Sequence, residues 1–506
     1  MGLARAWSVA VRGVDGVPVE IEADVGRGLP GLTLVGLPDP VLHESKERVR
    51  AAVLNSEESW PNRRTTLALS PATLRKVGSS YDLALACAVL AADRAVPATG
   101  LLDRTALLGE LALDGRLRPV RGVLPAVLAA RRAGLESAVV PASSLAEAAL
   151  VTGIEVLGAS RLREVLAWLR GSDRALARPG QPAAAVPPAA PDLADVMGQG
   201  DARWALEVAA AGGHHVLLSG PPGSGKTMLA RRLVGLLPEL SVDEALEVTA
   251  IHSVAGMLPD AAPLLTAPPF VSPHHSASLA ALVGGGSGLA RPGAISLAHR
   301  GVLFLDEVVE FSVRALEALR TPLEEGEVRL SRTDGAVVYP ARFQLVMAAN
   351  PCPCAPPRDI DCVCSAAARR RYQARLSGPL LDRVDLRVPM LPTNNAMLHG
   401  EEPAEPTAVV RERVCAARER AAQRWARYGW RTNAEVPGPQ LRRTFRLPRA
   451  TTHPIDTALS QGRLTARGAD RCLRLAWTLA DLAGRTRPDE LLVYAALNLR
   501  DRRLAA

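Results

Sequence analysis

Residues 220–227 read GPPGSGKT, set between the apolar run HHVLLS and the helical pattern MLARRLVGLL. A buried strand, a tight glycine turn and a helix in that order require a parallel α/β sheet around them, so this stretch constrains everything packed beside it. The glycines let backbone N–H groups curl around an anion at a helix N-terminus. Gly220, Pro221, Pro222, Gly223, Ser224 and Gly225 form the predicted phosphate cradle. Lys226 is predicted to neutralise β- and γ-phosphates, and Thr227 to offer its hydroxyl to Mg²⁺. The chain has only three lysines, Lys46, Lys76 and Lys226, and one of them stands here.

Two further apolar runs end in polar residues. GVLFLDE at 301–307 reads as a buried strand whose Asp306 holds the water shell of Mg²⁺ and whose Glu307 polarises the attacking water. FQLVMAAN ends in Asn350, placed either to orient that water or to form a turn before Pro351. No Asn-Lys-x-Asp element for reading guanine occurs, so ATP with Mg²⁺ is the expected cofactor.

At 506 residues the chain is too long for one core. Residues 1–170 alternate β-like runs with amphipathic helical patterns, among them HESKERVRAAVLNS and YDLALACAVLAADRA. Residues 171–192 are rich in Pro, Ala and Gly and read as a linker; 193–391 carry the α/β pattern; 392–506 are nearly all helical by period. No run of apolar residues is long enough for a membrane span, no secretory signal is evident, and the scattered cysteines make no disulfide framework. A reducing cytoplasm without membrane contact is the expected setting. From residue 365 onward there are 26 Arg against 14 acidic residues, giving +12, whereas the first 364 carry −4. The basic third is either a set of solvated helix faces or a contact for an acidic polymer.

The stretches DLADVMGQGDARWALEVAAAGGHH, PHHSASLAALVGGGSGLARPGAISLAHRGVLFLDEVVEF and PLLDRVDL, with GLPGLTLVGLPD and ATLRKVGSSYDLALA near the start and LTARGADRCLRLAWTLADL near the end, resemble the YifB/ComM family of magnesium-chelatase-like AAA+ ATPases. The resemblance spans nearly all of the chain outside the linker. It implies an N-terminal domain of the ribosomal-S5-like fold shared with Lon protease, a P-loop AAA+ domain with a parallel sheet, and a helical lid. It also implies a homo-hexameric ring with ATP at subunit interfaces, Arg383 reaching a neighbour's site as a finger, Arg467 as second sensor and Asn350 as first. In that family the segment at 273–288 and a hairpin turning at Asp334-Gly335 project into the pore, making His274, His275, Arg329 and Arg332 candidates for touching what passes through. The adjacent histidines are alternatively metal ligands, and Arg383, flanked by Asp382 and Asp385, is alternatively part of a surface ion pair.

NPCPCAPPRDIDCVC places Cys352, Cys354, Cys362 and Cys364 on a short loop, either as four thiolates for a structural Zn²⁺ or as loose thiols. Arg369, Arg370 and Arg371 follow, candidates for phosphate contacts of single-stranded or branched DNA. Ser80 falls where a Lon-type nucleophile stands, but the position of its lysine partner reads Ala126, so a non-proteolytic domain is expected. A DNA motor promoting branch migration, a chelatase-type ring remodelling a partner protein, and a protease, disfavoured by the missing lysine, are the readings to separate.

Overall fold

The computed structural model describes residues 2–501 apart from 98–99, 181–189, 260–263, 287–289, 333–334, 357–360, 377 and 393–404. Much of the expected linker, most of the break near residue 392, and Asp334 of the hairpin turn lie outside the described residues.

The N-terminal part is a seven-stranded mixed sheet. Across it run Gly31–Val35, Arg64–Ser70, Asp15–Gly26, Gly2–Arg12, Thr105–Leu107, Ser137–Pro141 and Glu155–Ala159. The long opening hairpin, with Ala6 opposite Ile21, supplies alternating inward residues to the core. The helix Asp82–Ala92 differs from the amphipathic pattern expected of it: every one of its residues is buried. Its side chains are apolar all round, which suits a central helix rather than a surface one. Its single charge, Asp82, is met by Arg48 at 2.9 Å and by the backbone N–H of Leu111 at 3.2 Å.

The middle of the chain forms a five-stranded sheet, all parallel, in the spatial order Phe270–Val271, Val302–Leu305, Gln344–Ala349, Val216–Ser219 and Leu386–Pro389. The three inner strands are apolar and almost wholly buried, as strands covered on both faces must be. The fourth strand in sequence lies between the first and third in space, so Ser219 sits opposite Ala349 and Leu305 opposite Met347. All strands run the same way, so the loops after them share one edge of the sheet and the loops before them the other.

The helices Thr407–Trp425, Arg449–Ser460, Ala466–Leu482 and Glu490–Asp501 make the C-terminal part, and they share one hydrophobic core with the five-stranded sheet and the helix Gly200–Gly212. A buried polar junction fixes the two together. Asp385, at the start edge of the sheet, accepts from the backbone N–H of His215 at 2.9 Å and from Arg471 Nη1 at 2.7 Å. Burial works to raise the Asp385 carboxyl, and Arg471 together with His214 outweighs it, holding it well below the usual carboxylate range. Nearby, His214 Nε2 and Thr478 Oγ1 lie 2.8 Å apart, and Asn433 Nδ2 donates to Thr478 and to Asp481.

The helix Val242–Ala255 joins the N-terminal part to the ATPase sheet. Ala250 packs into the N-terminal core, Ser253 hydrogen-bonds Glu147, and the Gly122 N–H reaches Ser253 O at 3.2 Å. On its other side His252 Nε2 is 3.1 Å from Leu297 O. Gly13, in the turn of the opening hairpin, has φ +63°, and a Cβ there would stand 2.7 Å from Val338 O of the second hairpin, Glu327–Arg332 with Gly335–Pro340.

The junction at Asp385 yields a stability prediction. Arg471→Ala leaves a buried carboxylate without its cation and is expected to cost about 3–5 kcal/mol. Denaturant unfolding measures this, and the pair replacement Asp385→Asn with Arg471→Gln, which keeps an acceptor for the His215 N–H, should recover part of the loss.

Candidate nucleotide site

Gly223 and Gly225 adopt φ of +75° and +89°, and the helix Lys226–Leu236 begins directly after them. That left-handed backbone is what lets the turn close tightly before the helix. A side chain at Gly220 would lie 2.6 Å from Met390 O, so the loop is also pressed against the end of the neighbouring strand.

Lys226 is buried. Its ammonium donates to Gly220 O at 2.7 Å, Pro221 O at 2.8 Å and Asn350 Oδ1 at 3.1 Å, which uses all three of its protons. Burial lowers its pKa, and Asp306 and Glu307 partly oppose that. Thr227 Oγ1 donates to Asp306 Oδ2 at 2.7 Å, so the two groups expected around Mg²⁺ already meet. A hydroxyl and a carboxylate oxygen in contact at the mouth of a phosphate loop are hard oxygen donors, a set that fits Mg²⁺. Glu307 follows with φ +48° and donates its N–H to Asp306 Oδ1 at 2.9 Å. The Glu307 carboxylate is half exposed and lies 3.4 Å from His275 Nδ1. The loops of three adjacent strands therefore bring Lys226, Thr227, Asp306, Glu307 and Asn350 together.

His275, expected from sequence to face the pore, thus contacts Glu307. His274 Nδ1 lies 2.7 Å from Ser276 Oγ, and the two imidazole rings are 4.1 Å apart. Among the described residues, the one cluster with metal-ligand geometry is that of the cysteines. On the hairpin, Arg329 is held by Glu327 at 2.6 Å. Arg332 ends that strand, and its side chain lies outside the described residues.

Arg383 and Arg467 are placed elsewhere. Arg383 is buried, donates to Pro379 O at 2.7 Å and pairs with Glu324. It stands just before the strand Leu386–Pro389, on the start edge of the sheet. Arg467 is exposed in the first turn of Ala466–Leu482. The next residue, Gly468, lies against Arg500, which donates to Val384 O. Both arginines are thus on the edge opposite the P-loop of their own chain.

The four cysteine sulfurs all lie within 4.8 Å of one another, with Cys352–Cys354, Cys352–Cys362 and Cys354–Cys362 at 3.4, 3.6 and 3.7 Å. A tetrahedral zinc with Zn–S bonds of about 2.3 Å sets sulfur–sulfur edges of about 3.8 Å. Cys352, Cys354, Cys362 and Cys364 fit that ion. The helix Ala366–Gln373 follows, capped by Ser365. It carries Arg369, Arg370 and Arg371, none with a carboxylate in ion-pair reach among the described residues. Near the N-terminus, Lys76 is fully buried and its ammonium is taken by Leu69 O at 2.9 Å and by Pro71 O; Ala126 is buried in a helix.

The strand order and these five converging residues define a P-loop protein of the AAA+ class. Family profiles agree: one described as magnesium chelatase, subunit ChlI, matches residues 192–398, another for the same subunit matches 21–144, and its C-terminal counterpart matches 404–500. An uncharacterised protein of Mycobacterium tuberculosis is 63% identical over 99% of both chains. Protein YifB of Escherichia coli is 43% identical over 95% of this chain and 94% of its own. The competence protein ComM of Haemophilus influenzae is 41% identical over 96% and 94%. The chain belongs to the YifB/ComM family of magnesium-chelatase-like AAA+ ATPases.

Glu307→Gln is expected to leave nucleotide affinity intact while lowering ATP turnover by about 10²–10⁴-fold, measured as steady-state phosphate release beside equilibrium nucleotide binding. His275→Ala, which frees the Glu307 carboxylate, is expected to raise turnover in the same assay. For the cysteines, elemental analysis should find one zinc per chain, lost with a lower melting temperature when all four are replaced by Ser.

Proposed function

We propose that the chain is the subunit of a ring-forming, Mg²⁺-dependent ATPase that moves on DNA and promotes branch migration during recombination of incoming strands. The observation carrying the ATPase reading is the convergence of Lys226, Thr227, Asp306, Glu307 and Asn350 from three neighbouring strands. Lys226 exchanges neutral carbonyl acceptors for phosphate oxygens. Thr227 and Asp306 would hold Mg²⁺, which would supply positive charge against that developing on the transferred group. Glu307 accepts the proton of the attacking water, and Asn350, already bonded to Lys226, orients that water beside the γ-phosphate.

Support for the ring comes from where the arginines stand. Arg383 and Arg467 occupy the edge of the sheet away from their own P-loop, so each site is complete only when a second copy presents its start edge to it. An arginine supplied across such an interface is worth about 10³–10⁵ in rate. Support for DNA comes from Arg369, Arg370 and Arg371, which follow the cysteine loop with no carboxylate in ion-pair reach among the described residues, and from the relative named for competence. That loop begins two residues past Asn350. Zinc there would stiffen the path from the γ-phosphate to the basic helix.

A chelatase-type ring remodelling a protein partner is the second reading. It is favoured by the family profiles and by the neutralisation of Arg329 on the hairpin. Proteolysis is disfavoured: the Lys76 ammonium is engaged by two backbone carbonyls, and Ala126 stands where a base is needed.

Turnover measured with and without single-stranded and branched DNA at low salt tests the choice. Strong stimulation, abolished by Lys226→Ala, is expected for the DNA motor; indifference to DNA would favour the chelatase-type ring. Mixing inactive Lys226→Ala and Arg383→Ala chains should restore part of the turnover, because an intact P-loop then meets an intact finger across some interfaces.

A further inference from the structure

On the start edge of the five-stranded sheet, opposite the P-loop, a cavity of about 680 Å³ opens between the sheet and the C-terminal helices. That is within the span of about 300–1,000 Å³ typical of small-molecule sites. Six carboxylates line it, and every one is already engaged. Glu244 holds Arg431 at 2.6 Å and Arg300 at 3.4 Å, Asp385 holds Arg471, and Glu324 holds Arg383. Glu239 and Glu325 are each 3.8 Å from an arginine, and Glu435 accepts from the backbone N–H of Arg431.

Three guanidiniums of the same walls are not so matched. Arg418 donates to Ala210 O at 2.8 Å and Arg474 to Val436 O at 2.8 Å. Neither they nor Arg342 has a carboxylate in ion-pair reach among the described residues. Burial draws Arg418 down to about 10 and lowers Arg474 as well. Both are half-buried, and carboxylates act on them through space without touching them, Glu435 and Glu244 on Arg418, Asp385 and Asp470 on Arg474. An anion entering the cavity would meet their remaining N–H donors, and planar guanidiniums match phosphate oxygens in forked geometry.

Other walls suit a nucleotide. His215 Nδ1 accepts from the Leu345 N–H at 3.0 Å, which leaves its Nε2–H as a donor; burial draws its pKa down to about 4, so the ring is neutral. Trp430 lines the cavity and is stacked on Tyr428 with centroids 4.8 Å apart, a rigid aromatic surface.

We propose that this cavity is a second anion site, separate from the P-loop, that takes a phosphorylated small molecule of nucleotide size with Arg418 and Arg474 on its phosphates. Arg418 and Arg474 belong to two helices of the C-terminal part, while Arg342 and His215 precede strands of the sheet. A ligand bridging them braces the C-terminal part against the ATPase core.

The test uses the full chain carrying Lys226→Ala, which silences the P-loop, with ADP and inorganic tripolyphosphate as probes in titration calorimetry and thermal melting. The expected result is one bound probe per chain and a raised melting temperature. Adding Arg418→Met or Arg474→Met should weaken binding by at least about tenfold, the worth of one lost charge-assisted hydrogen bond. Each Met variant also gives up a donor to a backbone carbonyl, Ala210 O or Val436 O. Arg418→Lys and Arg474→Lys, which keep a cation at each position, should bind the probes more tightly than the Met variants and melt like their parent when no probe is present, which separates loss of the site from loss of the fold. Failure of the Lys226→Ala chain to bind either probe at millimolar concentration would overturn the proposal, as would binding indifferent to both arginine replacements.

Discussion

A lysine ammonium surrounded by Gly220 O, Pro221 O and Asn350 Oδ1 ties together the ends of two neighbouring strands. A buried cation is tolerated only where its protons all find acceptors. Here one acceptor lies on a different strand from the lysine, so the pairing of Val216–Ser219 with Gln344–Ala349 is a condition of burying the charge at all. The same constraint extends outward. Once Gln344–Ala349 is fixed beside the P-loop strand, Val302–Leu305 must lie beyond it, and Asp306 arrives within hydrogen-bonding distance of Thr227. The cysteine loop inherits its position in turn, because it starts immediately after Asn350.

The opposite edge of the sheet obeys a different logic. There the strands begin, and the charged residues serve to join the C-terminal helices to the core. Asp385 is the hinge of that arrangement, touching the backbone of His215 on one side and Arg471 on the other. Arg383 stands two residues before it. The position of Arg383 is therefore coupled through a short segment to the helix that carries Arg467 and Arg471. The sheet separates two sets of side chains: Lys226, Thr227 and Asp306 gather at one edge, and Arg383, Arg471 and Arg500 at the other.

The P-loop, the Asp-Glu pair and the third apolar strand were legible in sequence because each is a local pattern, a buried run ending in a polar residue. Contacts that depend on the path of a long loop were not. His275 reaches Glu307 across thirty-two positions, and no spacing in PHHSAS announces it. Asp385 reads as one of two acids beside Arg383, since its partner Arg471 is eighty-six residues further on. The pairing of Arg329 with Glu327 did carry a signal, because residues two apart share a face of a strand. The full burial of Asp82–Ala92 was also open to reading: a helix with apolar residues on every side has no face for water.

The helix Val242–Ala255 touches the N-terminal part through Ala250 and Ser253, and through His252 it touches Leu297, just after the first expected pore insertion. Gly13 adds a backbone contact with Val338 of the second hairpin. The N-terminal sheet therefore rides with the insertions, whereas the C-terminal helices ride with the strand starts. In mechanical terms the chain is two levers on one fulcrum. A load borne by the hairpins is felt first at the N-terminal part, and a change at Arg467 is felt first at the C-terminal helices. The P-loop strand Val216–Ser219 lies between the two, paired with Gln344–Ala349 on one side and Leu386–Pro389 on the other.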